Sequence, residues 1–138
     1  MKKYIGLDLG SKTCGVAISD IMGMLARTHS TIRFKDDNYE YCADEVVKIL
    51  NTEGVDTVIL GMPKHMNGDV GIRGEISENF KSLLLQKTKV NVILWDERLS
   101  TKVANNAMIA ANVRREDRKK VKDELAAVVI LQGYLDFK

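Results

Sequence analysis

A chain of 138 residues, 45% hydrophobic and 29% charged with a single proline, has the make-up of one globular domain and is too short for two lobes closing on a shared ligand. No apolar run nears the ~20 residues of a membrane span, and Lys2-Lys3 leads into a strand without a signal-peptide block, so no membrane partner and a cytoplasmic location are expected. The net charge of +2 says little as a whole, but between Arg114 and Lys122 six basic residues face two acids, which concentrates the basicity in one stretch.

The first strand is expected over Tyr4 to Leu9, where Ile5, Leu7 and Leu9 alternate with Tyr4, Gly6, Asp8 and Gly10. Asp8 lies on the second face, left free for something else. An acid flanked by glycines is costly in a strand, and those glycines let another backbone or a bulky anion come close. Gly10-Ser11-Lys12 turns the chain into a strand over Thr13 to Ser19, and Leu25 to Phe34 makes a third, so short connections predict an antiparallel meander. Asp37-Asn38-Tyr39-Glu40 reads as a capping box. The helix behind it buries Tyr39, Ala43, Val46, Val47 and Leu50 and stops at Gly54.

Val55 to Leu60 is a continuous β-rich run, expected of a parallel strand covered on both faces, with Gly61-Met62-Pro63 as a breaker and a loop to Gly74. A second helix follows, from Ile72 or Gly74 to Gln86, and then a strand from Val90 to Trp95 that ends in Asp96-Glu97-Arg98. A third helix is expected from Ser100-Thr101 and a last one from Arg118 to Phe137. The pattern predicts an α/β fold: a five-stranded mixed sheet, three antiparallel strands then two parallel, with helices on both faces. Cys14 and Cys42 match no metal spacing and read as reduced, buried small apolar residues.

Ligands of open α/β sheets sit beyond the carboxyl ends of the strands. Asp8 lies near the carboxyl end of the central strand, and Asp96-Glu97 ends the last one, so both acids should open on one rim and call for a cation between them. Alternation lets only one of Asp96 and Glu97 face it. Asp123, on a helical face with Ala126, Ala127, Ile130 and Tyr134, is the third acid, because small alanines let its helix close on the sheet. Lys119, Lys120 and Lys122 oppose the helix dipole, which a local anion would explain. Three carboxylates with a basic flank suit phosphodiester hydrolysis with magnesium or manganese, and His29 and His65 are not spaced as zinc ligands. His65 reads as a surface loop histidine.

Gly6-Leu7-Asp8-Leu9-Gly10, Gly61-Met62-Pro63-Lys64 with Asn67-Gly68, Asp96-Glu97-Arg98-Leu99-Ser100-Thr101, and Asp123 followed by Ala126-Ala127 and Ile130-Leu131 resemble, in order, the motifs of the YqgF family. That family is described both as RuvX-type Holliday-junction resolvases and as nucleases maturing the 5′ end of pre-16S ribosomal RNA. The resemblance spans nearly the whole chain. It implies one RNase H-like nuclease domain over residues 1–138, with Asp8, Glu97 and Asp123 as catalytic residues and ligands of Mg2+ or Mn2+. By the same likeness Arg98, Ser100 and Thr101 would support the site, with Gly10 beside Asp8, while the basic residues Lys12, Lys64, Arg98, Arg114, Arg115, Arg118, Lys119, Lys120 and Lys122 are the candidate nucleic-acid contacts on their charge. Expected partners are structured RNA or branched DNA and ribosomal precursor particles, with a monomer or a homodimer both open. The family's loop more often has Leu-Pro and an acid before its glycine, where this chain has Met62-Pro63 and Asn67-Gly68.

Two readings compete. Asp8-Leu9-Gly10-Ser11-Lys12-Thr13 also resembles the first phosphate loop of actin-like kinases, but those close two lobes on ATP and this chain has length for one. The other keeps the fold as a non-catalytic nucleic-acid-binding module. Within the nuclease reading, 5′-end processing of pre-16S rRNA is preferred to Holliday-junction resolution.

Overall fold

The computed structural model describes residues 3–35, 37–62, 72–96 and 115–138, with side chains throughout except at 72–73 and 115–124. In chain order the elements are β1 (Tyr4–Leu9), β2 (Thr13–Ser19), β3 (Ala26–Arg33), α1 (Tyr39–Glu53), β4 (Thr57–Met62), α2 (Ile72–Lys87), β5 (Asn91–Asp96) and α3 (Arg115–Phe137). The five strands form one sheet in the order β3-β2-β1-β4-β5. β1 pairs antiparallel with β2 and parallel with β4, and β4 pairs parallel with β5, so the sheet is mixed as expected and β1 is central. The third expected helix, beginning at Ser100-Thr101, lies outside the described residues, as does the loop from Pro63 to Gly71 that holds His65.

Alternation along each strand divides the apolar residues between two layers. On one face Ile5, Leu7 and Leu9 of β1, with Val58 and Leu60 of β4, pack under Cys42, Ala43, Val46 and Leu50 of α1 and Phe80 and Leu84 of α2. On the other, Tyr4, Ala17 and Ile59 pack under Ala127, Ile130, Leu131 and Leu135 of α3. β1 is therefore covered on both sides, and the face that carries Tyr4 and Gly6 is filled by α3 rather than free. Of the aromatic residues, Tyr4 and Trp95 stack on Tyr134 at 5.9 and 5.7 Å, and Tyr39 packs on Phe34 at 5.7 Å, all within or beside the core, whereas Tyr41 stays exposed. No helix among the described residues is long and apolar enough to cross a membrane.

Three boundaries differ from the sequence expectation for local reasons. The cap of α1 is Asn38, whose side chain accepts from the Tyr41 N–H at 3.3 Å, one residue after the start of the expected capping box. Asp37 instead takes a φ of 57°, the left-handed region that Asp tolerates better than most residues, and its N–H donates to the Ser11 carbonyl at 3.2 Å. Val55 is spent on closing α1, its N–H donating to the Leu50 carbonyl at 3.1 Å behind the left-handed Gly54. β4 consequently starts at Thr57 and runs on through Gly61 and Met62, which pair with Trp95 and Asp96. The last helix begins at Arg115 rather than Arg118, which brings much of the basic stretch into α3.

Candidate active site

Asp8 is the anchor. It is the last residue but one of β1, half-buried, and registered against Gly15 of β2. A Cβ at Gly15 would lie 3.8 Å from the Cβ of Asp8 and 3.5 Å from that of Ala127, ordinary contact distances, so this position borders both the acid and the helix without requiring a glycine for space.

At Gly6, two residues before Asp8 on the same face, the helix comes much closer. A Cβ there would lie 2.6 Å from the Cβ of Leu131 and 2.9 Å from the carbonyl oxygen of Ala127. The glycines beside the acid thus admit another backbone, one of the two expected occupants, and it is that of α3. From Leu131 over Gly6 to Ala127 over Gly15, α3 tracks toward the carboxyl end of β1 as it is followed back to its start. Asp123 belongs to this helix, one turn before Ala127, in the part whose side chains are not described.

At the other side of the rim, β5 ends on Asp96, paired with Met62. Ile93 and Trp95 pack on the α3 layer, while Val92 and Leu94 pack on the α1 and α2 layer, so alternation assigns Asp96 to the layer opposite Asp8. Gly10 closes the turn after β1, its N–H donating to the Thr13 carbonyl at 2.7 Å. Lys12 lies in the same turn and is exposed. Glu97, Arg98, Ser100, Thr101, Lys64 and Arg114 lie outside the described residues. For Arg115, Arg118, Lys119, Lys120 and Lys122 the backbone is placed in the first turns of α3. Among the described residues no three His, Cys, Asp or Glu side chains form a group that could hold a metal ion.

Cys14 and Cys42 are both buried and free. A hydrogen bond with Cys42 pushes the Cys14 thiol well above its usual range, helped by burial and by electrostatic interaction with Cys42 and Asp8. A thiol held neutral in this way is no nucleophile, and Cys14 belongs to the core.

Known proteins agree with this architecture. Thermus thermophilus RuvC, solved in complex with a Holliday-junction substrate, superposes with a TM-score of 0.62 over 99% of this chain and 95% of that one at 11% identity, which identifies the fold as RNase H-like. A ROK hexokinase from the same organism matches 74% of this chain but only 37% of its own length, at a TM-score of 0.50 and 18% identity. A Staphylococcus aureus protein named "Putative pre-16S rRNA nuclease" is 47% identical over 135 residues, 97% of this chain and 95% of that one. The family model described as "RuvX: Holliday junction resolvase" matches residues 2–137, and the chain belongs to that family, the one its YqgF-like motifs resemble.

Proposed function

We propose that this chain is a divalent-metal-dependent endonuclease that trims the 5′ end of pre-16S ribosomal RNA. The observation that carries the reading is Asp8: a carboxylate at the carboxyl end of the central strand of an RNase H-like sheet, in a chain near half identical to a protein named for that activity. Asp8, Glu97 and Asp123 are the residues that would hold Mg2+ or Mn2+, and the donor set fits, being hard carboxylate oxygen. The bound metal would supply an activated water and charge neutralisation at the leaving oxygen. Asp8 contributes position. Its strand is fixed on both sides by neighbouring strands, so its carboxylate is held where the phosphodiester must arrive. The basic start of α3, with Lys12, Lys64 and Arg98, would grip flanking phosphates.

The family description favours a second substrate, a four-way DNA junction. Resolution of a junction requires two symmetric cuts and hence a two-fold dimer, whereas end trimming needs only one copy. The test is cleavage of a precursor-rRNA fragment and a four-way junction by one preparation whose mass in solution is measured alongside. We expect cleavage of the RNA by a monomer in Mg2+ or Mn2+, and its loss in Asp8→Asn, Glu97→Gln and Asp123→Asn. Cleavage of the junction alone, by a dimer, would reassign the substrate. Wild-type protein that cuts neither, or mutants that cut as well as wild type, would overturn the enzyme in favour of a binding module.

A further inference from the structure

Immediately beyond Asp8 the chain opens on the other layer of the sheet into a cavity of about 230 Å³ lined by Leu9, Gly10, Ser11, Asp37, Tyr39 and Ile76. It abuts a second hollow of about 110 Å³ that shares Tyr39 and Ile76 as walls. The Tyr39 ring is held from behind, with Phe34 at 5.7 Å and Phe80 at 6.5 Å. Its hydroxyl donates to Asp37 Oδ1 at 3.2 Å, and Asp37 is exposed at the cavity's edge. The result is a rigid aromatic wall facing an aliphatic one, with a carboxylate on the rim.

We infer that this cavity takes one unpaired base of the cleaved nucleic acid, next to the scissile phosphate, and prefers a base with an exocyclic amino group. The inference rests on the nuclease reading and deepens it. Of the parts of a polynucleotide, only the base is flat and apolar enough for walls made by Tyr39, Leu9 and Ile76. A phosphate is disfavoured, because among the described residues the lining holds no Lys or Arg and the Asp37 carboxylate would repel it. The volume is below the ~300 Å³ at which sites for drug-sized ligands begin, which suits a ring system better than a whole nucleotide. A carboxylate can only accept hydrogen bonds, so it favours the exocyclic amino groups of adenine, cytosine or guanine over uracil or thymine, whose N3–H donor lies between two carbonyl oxygens that the carboxylate repels.

The experiment is a scan of single abasic positions within three nucleotides on either side of the cut, in whichever of the two substrates the wild-type chain cleaves in Mg2+ or Mn2+. One position is expected to raise KM about tenfold with a smaller change in kcat, the loss of one base stacked on an aromatic ring. Ser11→Trp, which fills the cavity from its exposed rim, should erase the difference between abasic and intact substrate at that position. Asp37→Asn, tolerated at the left-handed φ of 57°, should erase the preference for cytosine over uracil there while leaving the abasic effect. A flat scan on a substrate that is cut, or a scan that Ser11→Trp leaves unchanged, overturns the base site and spares the nuclease. A chain that cuts neither substrate overturns both.

Discussion

At the scale of single residues, the site depends on a side chain that is missing. Gly6 stands on the strand face shared with Asp8 and lets α3 come closer than any Cβ would allow, whereas at Gly15, directly across from Asp8, a Cβ would sit at ordinary contact distance. The contact at Gly6 is with the first side-chain carbon of Leu131 and the backbone oxygen of Ala127, neither of which can swing aside as a flexible chain end would. Gly6→Ala should therefore cost at least the ~1–3 kcal/mol typical of overpacking, read as a fall in the urea midpoint without a change in slope. Because the same displacement lifts the helix that carries Asp123, cleavage should fall further than the lost stability explains under conditions where the variant is still folded. A midpoint equal to wild type would mean that α3 does not lie as close to β1 as described.

At the scale of elements, α1 is tied to the far end of the sheet by a single acid. Glu53, in its last turn, accepts from Lys3 Nζ at 3.3 Å and lies 3.3 Å from His29 Nε2 on β3; Lys3 also donates to its carbonyl at 3.1 Å. The hydrogen bond from Lys3 and then that from His29 hold the Glu53 carboxyl below its usual range. A carboxyl depressed in the folded state stabilises fully above its unfolded pKa and loses that contribution as pH falls through the folded one. Glu53→Gln should thus melt below wild type at neutral pH, and the two melting curves should converge as the medium is acidified through the carboxylate range. A constant gap across that range would show that the acid acts by packing alone. The elements themselves were legible where periodicity was strong: the 2-to-3.6 switch at Asn38 and the meander of β1 to β3 stand as read. What misled was glycine and the ends of apolar runs. Gly61 looks like a breaker in sequence, but in the fold it pairs with Trp95, and Val55 looks like strand but closes a helix. The Asp37 cavity was illegible because its walls come from a strand end and turn, a cap and a helix far apart in the chain, from Leu9 to Ile76, and no local pattern marks such a meeting.

On the scale of the whole molecule, the two ends of the sheet have different work. The amino end of β1 carries the Lys3, Glu53 and His29 cluster, while the carboxyl end carries Asp8, the Lys12 turn, the cavity and, by the course of α3, the direction from which the basic stretch arrives. With a net charge of only +2, the molecule as a whole offers a polyanion little general attraction, so binding must come from where the charge is gathered. Each phosphate contact releases condensed counterions and adds about 0.9 to the logarithmic salt slope on duplex DNA, or about 0.7 on a single strand. Lys119→Ala with Lys120→Ala, measured by anisotropy titrations across a salt series in Ca2+ or without metal, should therefore lower the slope by somewhat under two. Affinity should fall most at low salt, and the Asp37-dependent base preference should be untouched. If the slope stays put while affinity falls, the lysines support the helix start rather than touch phosphate; if neither moves, the strand is gripped elsewhere and the start of α3 is not part of the nucleic-acid path.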